Sequence, residues 1–274
     1  MSKRRARSVA ANFDDSDGFY DGFYGGINSR NAKPGQIISI DHVGPITPKS
    51  TGGYSLMWLV YQWVFFSKTK RASIVVEIVR LFIADLKFSD KELKILRSVA
   101  EEISNSSEVQ VFLEEHGIKH QFSVPYEHYQ NRNERLIQHN VRGISSWMYS
   151  QKWLPANYWE YAAKHFVRVS RFVPTKKTAP STPSHIIGAG DLDLSVKFLF
   201  SFGDFVAFRI PDARKRWKFD LRRDLGIYLG DADDTMRGSL TVYIYPPTGS
   251  VQVRLDCMKL ELSDQMLHSY MIFA

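Results

Sequence analysis

Two carboxylates stand where a folded chain could bring them together. Asp41 lies near the end of a β-branched run, residues 36–43, which stops at Gly44-Pro45 and reads as a buried strand. Glu134 lies in the first turn of a helix read over residues 131–150. A strand end and a helix start converge when such a helix packs against the sheet, and carboxylate oxygens are ligands for hard cations. Each residue alone has an ordinary explanation as well. Asp41 serves as a strand-end turn former, and Glu134 as an acid favoured by the helix dipole. A second kind of chemistry sits in residues 209–223. There Arg209, Arg214, Lys215, Arg216, Lys218, Arg222 and Arg223 outnumber Asp212 and Asp220 around Trp217 and Phe219. Such cations neutralise phosphates, and an embedded aromatic stacks on a base, although Trp217 and Phe219 read better as core.

The elements that must position these residues follow from periodicity and punctuation. Tyr54–Tyr61 and Trp63–Ala72 read as a hairpin with a very short connection. Residues 74–87 place Ile74, Ile78, Leu81 and Leu86 near helical spacing. Leu93–Val99 and Lys119–Val124 read as strands. Between them, residues 107–116 read as a helix capped by Ser106 or Ser107 and closed by Gly117. In the helix over 131–150 one face carries Ile137, Val141, Ile144 and Met148, and a further helix covers 156–172. This order predicts an α/β fold, a mixed sheet covered by helices. The domain expectation is an N-terminal arm at 1–35, a core at 36–173, a linker at 174–200, a small β-rich unit at 201–262 and a tail at 263–274. The β-rich unit, with short strands near 204–210, 225–229, 239–245 and 250–256, predicts a small β-barrel or curled sheet.

The stretch 116–138, from His116-Gly117-Ile118 through Pro125 to Gln130-Asn131 and then Glu134-Arg135, resembles the integrase core of copia-type retrotransposons. Pro34-Gly35-Gln36, Asp41 and Gly44-Pro45 resemble the segment around that family's first catalytic Asp. Leu96-Arg97-Ser98 resembles the strand end at which the family carries its second Asp, and here Val99 occupies that position. Positions 100–133 separate Val99 from Glu134, close to the family's usual gap. Phe202-Gly203-Asp204, Asp220-Leu221-Arg222-Arg223, Leu225–Gly230 and Thr248–Val251 resemble its C-terminal extension.

The resemblance implies a ribonuclease-H-like core, DNA as partner, a possible homo-oligomer, and DNA strand transfer with Mg²⁺ or Mn²⁺ held by Asp41, the second Asp and Glu134. In that chemistry a hydroxyl attacks phosphorus in line, with two metal ions activating nucleophile and leaving oxygen. Val99 supplies no ligand, so the same resemblance implies a catalytically impaired chain. Glu101, two residues on, is the conceivable substitute on the same side of a continued strand, displaced roughly 6–7 Å along it. Beside Glu134, the same helix carries Arg135 and Arg142 as candidate nucleic-acid contacts. A protein-interaction platform is the non-catalytic alternative.

Composition narrows the rest. With 36 Lys+Arg against 29 Asp+Glu the formal net charge is +7, which favours anionic partners. The single cysteine, Cys257, excludes an intramolecular disulfide and points to a reducing compartment, nuclear or cytoplasmic rather than secreted. His42, His116, His120, His128 and His139 lack cysteine partners, so no zinc module is expected. The longest apolar run, Tyr54–Phe66, is interrupted by Gln62 and too short to span a bilayer, so no membrane partner is expected. The basic start, Lys3-Arg4-Arg5-Ala6-Arg7, reads as a solvated tail, with a nuclear-localisation or nucleic-acid patch as the alternative.

Overall fold

The computed structural model describes residues 32–61, 63–87, 92–99, 106–123, 132–151, 154–176, 178–187, 200–210, 223–232, 240–244, 250–254 and 256–260. The first part of the chain forms a five-stranded mixed sheet. Its strands are β1 (Ile37–Val43), β2 (Leu56–Val60), β3 (Trp63–Ser67), β4 (Ile95–Val99) and β5 (Lys119–Ser123), in the order β3-β2-β1-β4-β5. β1, β2 and β3 pair antiparallel, whereas β4 and β5 join parallel. The parallel joins need crossovers, and helices α1 (Ala72–Lys87) and α2 (Ser107–Glu115) supply them. The α/β class is as expected, and the mixed sheet is consistent with the ribonuclease-H-like arrangement that the resemblance implies.

Local signals account for the element ends. The Ser106 side chain accepts a hydrogen bond from the Val109 backbone at 3.4 Å and caps α2. At its other end Gly117 takes φ +64°, and the bonds Ile118 N to Leu113 O and Gly117 N to Glu114 O close the helix in a Schellman turn. In α1 the buried residues are Val75, Val76, Ile78, Val79 and Phe82. Of the four positions expected to face inward, Ile78 is buried and Ile74 packs against the core. Leu81 is 46% exposed, and the side chain of Leu86 lies outside the described residues. The run is apolar on nearly every side, so more than one helical phase looks hydrophobic. Packing against β1, β2 and β4 selects the phase of Val75 and Val79.

Two cores flank this sheet. Ile38, Ile40, Leu96 and Val60 face α1 and α2. On the other side Met57 and Leu59 meet α3 (Arg132–Ser150) and α4 (Trp159–Ser170), including Ile144, Ala162, Ala163 and Val167. Residues 174–187, expected as linker, include a short helix, α5 (Pro183–Ile187), and Ser184 N donates back to Arg171 O.

A second sheet is antiparallel throughout, in the order β10-β6-β7-β8-β9. Its strands are β6 (Phe205–Arg209), β7 (Arg223–Asp231), β8 (Leu240–Ile244), β9 (Val251–Arg254) and β10 (Cys257–Lys259). The expected β-rich unit is present as this open sheet; no closed barrel is found among the described residues. Ile227, Leu229 and Phe202 join the second core beside α4, so the two sheets share packed side chains across that helix. The arm at 1–31 and the tail at 263–274 lie outside the described residues.

Candidate functional site

The strands that carry Asp41 and Val99 are neighbours in the first sheet. β1 and β4 run parallel with Ile37 beside Ile95 and Ile40 beside Ser98. Asp41 and Val99 are the residues that follow this last pair on their strands, and Val99 pairs with Ser123 of β5. Asp41 lies opposite Leu59 of β2, and opposed residues of a pair share a face. Leu59 belongs to the core under α3 and α4, so Asp41 is on that side of the sheet. The helix that starts with Arg132 and carries Glu134 in its first turn packs across β1 and β2 on the same side.

The Asp41 side chain retains 16% of its exposure, and its Oδ1 accepts from the His42 backbone N–H at 2.8 Å. His42 Nδ1 stands 3.9 Å from the same oxygen, and its ring packs on Trp58 at 4.9 Å. Glu134 is half-buried and accepts from Gln138 Nε2 at 3.4 Å, one turn along the helix. A hard cation takes several oxygen ligands, and a valine at position 99 brings none. Among the described residues no group of three or more His, Cys, Asp or Glu is placed to hold a metal. Glu101 lies outside the described residues.

The nucleic-acid candidates divide. Arg214, Lys215, Arg216, Lys218 and Arg222 lie outside the described residues. Arg223, on β7, is engaged with Asp256 at 3.2 Å and donates to Ala207 O at 3.4 Å. Arg135 and Arg142 are exposed along α3.

Sequence reasoning missed two polar clusters. On the opposite face of the sheet, His120 Nε2 lies 2.8 Å from Ser98 Oγ and its Nδ1 lies 2.8 Å from Gln110 Nε2. Burial holds His120 down to about 4, so the ring is neutral near neutrality. With the Gln110 amide donating to Nδ1, the ring proton sits on Nε2 and is donated to Ser98. That tautomer cannot act as a base toward the hydroxyl, and Ser98 is only 5% exposed. The cluster therefore ties β4, β5 and α2 together and is not a nucleophile site. The i, i+10 spacing of Gln110 and His120 across a helix and a strand leaves no periodic trace. The second cluster is Glu160 of α4, whose Oε2 and Oε1 accept from Ser50 at 2.6 Å and Thr51 at 2.7 Å.

No family model matches the chain, and no curated protein matches it. Among solved structures it is similar to a chain of the cryo-EM structure of a simian T-cell lymphotropic virus intasome in complex with the PP2A regulatory subunit B56 gamma. The identity is 13%, the TM-score is 0.47, and the match covers 84% of this chain and 80% of that one.

Proposed function

We propose that this chain is an integrase-like, DNA-binding protein of copia-type retrotransposon ancestry whose strand-transfer chemistry is impaired at position 99. The observation that carries the reading is the register of β1 and β4. The motif resemblance groups Asp41, Val99 and Glu134 in one site, and the parallel pairing of the strands that carry Asp41 and Val99, with the helix of Glu134 packed on β1, supports that grouping. In this reading the missing carboxylate is the defect, because in-line phosphoryl transfer depends on two metal ions clamped by such ligands. The positive net charge of +7 and the exposed arginines of α3 support retention of DNA binding. A nuclear or cytoplasmic location and assembly as a homo-oligomer complete the proposal. Among the described residues no helix is long and apolar enough to cross a membrane.

The test is a strand-transfer assay on oligonucleotide DNA ends with Mn²⁺, comparing the unaltered chain with Val99→Asp. The expected result is no product, or a yield lower by orders of magnitude, from the unaltered chain, and a gain with Val99→Asp. Full activity of the unaltered chain, abolished by Glu101→Gln, would overturn the impaired reading in favour of a shifted third ligand.

A further inference from the structure

Seven residues advance an α-helix by nearly two whole turns, so Arg135, Arg142 and Tyr149 of α3 fall on one ridge. All three are exposed, Tyr149 at 84%, and none has a hydrogen bond, ion pair or ring contact among the described residues. The inward face of the same helix is fully committed: Asn140 donates to Leu136 O, Ile144 is buried, and Trp147 packs on Phe166 and Phe202. Beyond Glu134 no carboxylate occurs on α3, so the guanidiniums of the ridge are not neutralised from within their own helix. Among the described residues neither guanidinium is paired with a carboxylate, and the Tyr149 ring stands 84% exposed in line with them. The ridge matches one kind of partner: a polyanion that also carries flat apolar faces.

We propose that this ridge binds an unpaired nucleic-acid strand, with Arg135 and Arg142 on phosphates and Tyr149 stacked on a base. This deepens the DNA-binding reading above and rests on it. The ridge runs about 21 Å from Arg135 to Tyr149 at 1.5 Å per residue. Its Arg135 end adjoins Glu134, so a strand lying along it leads away from the candidate site. Arginines on phosphates contribute through counterion release and so through salt dependence. Stacking on Tyr149 is largely independent of salt and of sequence, and it needs a base that is not paired within a duplex. Charge and stacking are therefore separable in one experiment.

The experiment measures fluorescence anisotropy of the full chain with a labelled mixed-sequence single-stranded DNA and a blunt duplex, over a salt series. The expected result for Tyr149→Ala is single-strand affinity weaker by about 5- to 150-fold with the salt slope unchanged, and little change on the blunt duplex. Arg142→Gln is expected to lower the single-strand slope by about 0.7 for the lost phosphate contact. Tyr149 is solvent-facing, so thermal unfolding of the variant should match that of the unaltered chain, which removes misfolding as an explanation. DNA binding that persists unchanged in both variants overturns the ridge and leaves the DNA-binding reading standing. Absence of any nucleic-acid binding overturns both. Loss of self-association in Tyr149→Ala without loss of DNA affinity makes the ridge a protein contact and overturns the proposal.

Discussion

Glu160 is a buried carboxylate, 4% exposed, whose charge is met by two hydroxyls and by the start of α4. The Ser50 hydroxyl donates to it and also accepts from Tyr54 N at 3.1 Å, while Thr51 N donates to Asn157 O at 2.9 Å. Trp159 Nε1 adds a bond to Pro48 O at 3.0 Å. Together these pin the connection between β1 and β2, which follows directly on Asp41, to the helix above it. A hydrogen bond to a charged group contributes about 1.5–3 kcal/mol, and a carboxylate that loses one inside the protein is left partly unsatisfied. Ser50→Ala should therefore destabilise the chain by about 1.5–3 kcal/mol in urea unfolding, with Glu160→Gln milder than Glu160→Ala. A Ser50→Ala change under about 0.5 kcal/mol would mean that the pin carries no weight. None of this was legible in the sequence. An acid in a first helical turn is commonplace, and its partners lie more than a hundred positions away. Asp41 and Glu134 looked equally ordinary until their motif context was considered, and the sequence did not show that the strands of Asp41 and Val99 run side by side.

At the scale of elements, punctuation was legible and phase was not. Ser106 and Gly117 bracket α2 because capping chemistry is local, whereas the buried face of α1 is decided by what packs against it. Gly143 shows the same contrast in a form that can be measured. It sits inside α3, where glycine is about 1 kcal/mol worse than alanine, so helix propensity alone predicts that Gly143→Ala stabilises. A Cβ at that position would overlap the ring of Phe166 on α4. That ring is held against Trp147 at 5.0 Å and His139 at 5.5 Å, so it has little room to yield. Overpacking costs typically about 1–3 kcal/mol and exceeds the propensity gain. Gly143→Ala is thus expected to lower stability in denaturant unfolding, and Phe166→Leu, which narrows the obstacle, should recover part of the loss in the double variant. Additive effects in that double-mutant cycle would show that the two helices do not meet as closely as their side chains indicate.

Across the whole molecule, the feature least visible in the sequence is the core shared by both sheets, because a Pro/Thr-rich stretch between them read as a spacer. His165 of α4 stands at that junction, 4% exposed. It faces Tyr228 of β7 edge-on at 5.4 Å, Trp147 of α3 at 5.5 Å and Phe202 at 6.2 Å. Arg168 and Asp231 form an ion pair at 3.0 Å nearby, and Asp231 also accepts from the Tyr228 hydroxyl at 2.8 Å. Burial depresses the His165 pKa to about 4, with Asp231 opposing and Arg168 reinforcing the shift. Above about pH 6.5 the ring is neutral in both folded and unfolded chains, and the shift has no effect. Between about 6.5 and 4 the unfolded chain binds the proton and the folded one does not, so stability falls as pH falls. The full difference corresponds to roughly 3 kcal/mol. His120 titrates over the same window, so the effect of His165 must be isolated by comparison with His165→Phe, which keeps a ring in the aromatic cluster. Urea unfolding at pH 7, 6, 5 and 4 should show the unaltered chain losing more stability than the variant, with most of the gap opening below pH 6. Parallel curves would mean that His165 is already wet or charged in the folded state, and that the second sheet does not seal the junction. A gap of the expected size would show that seating β7 on α4 keeps this side chain dry in the folded chain.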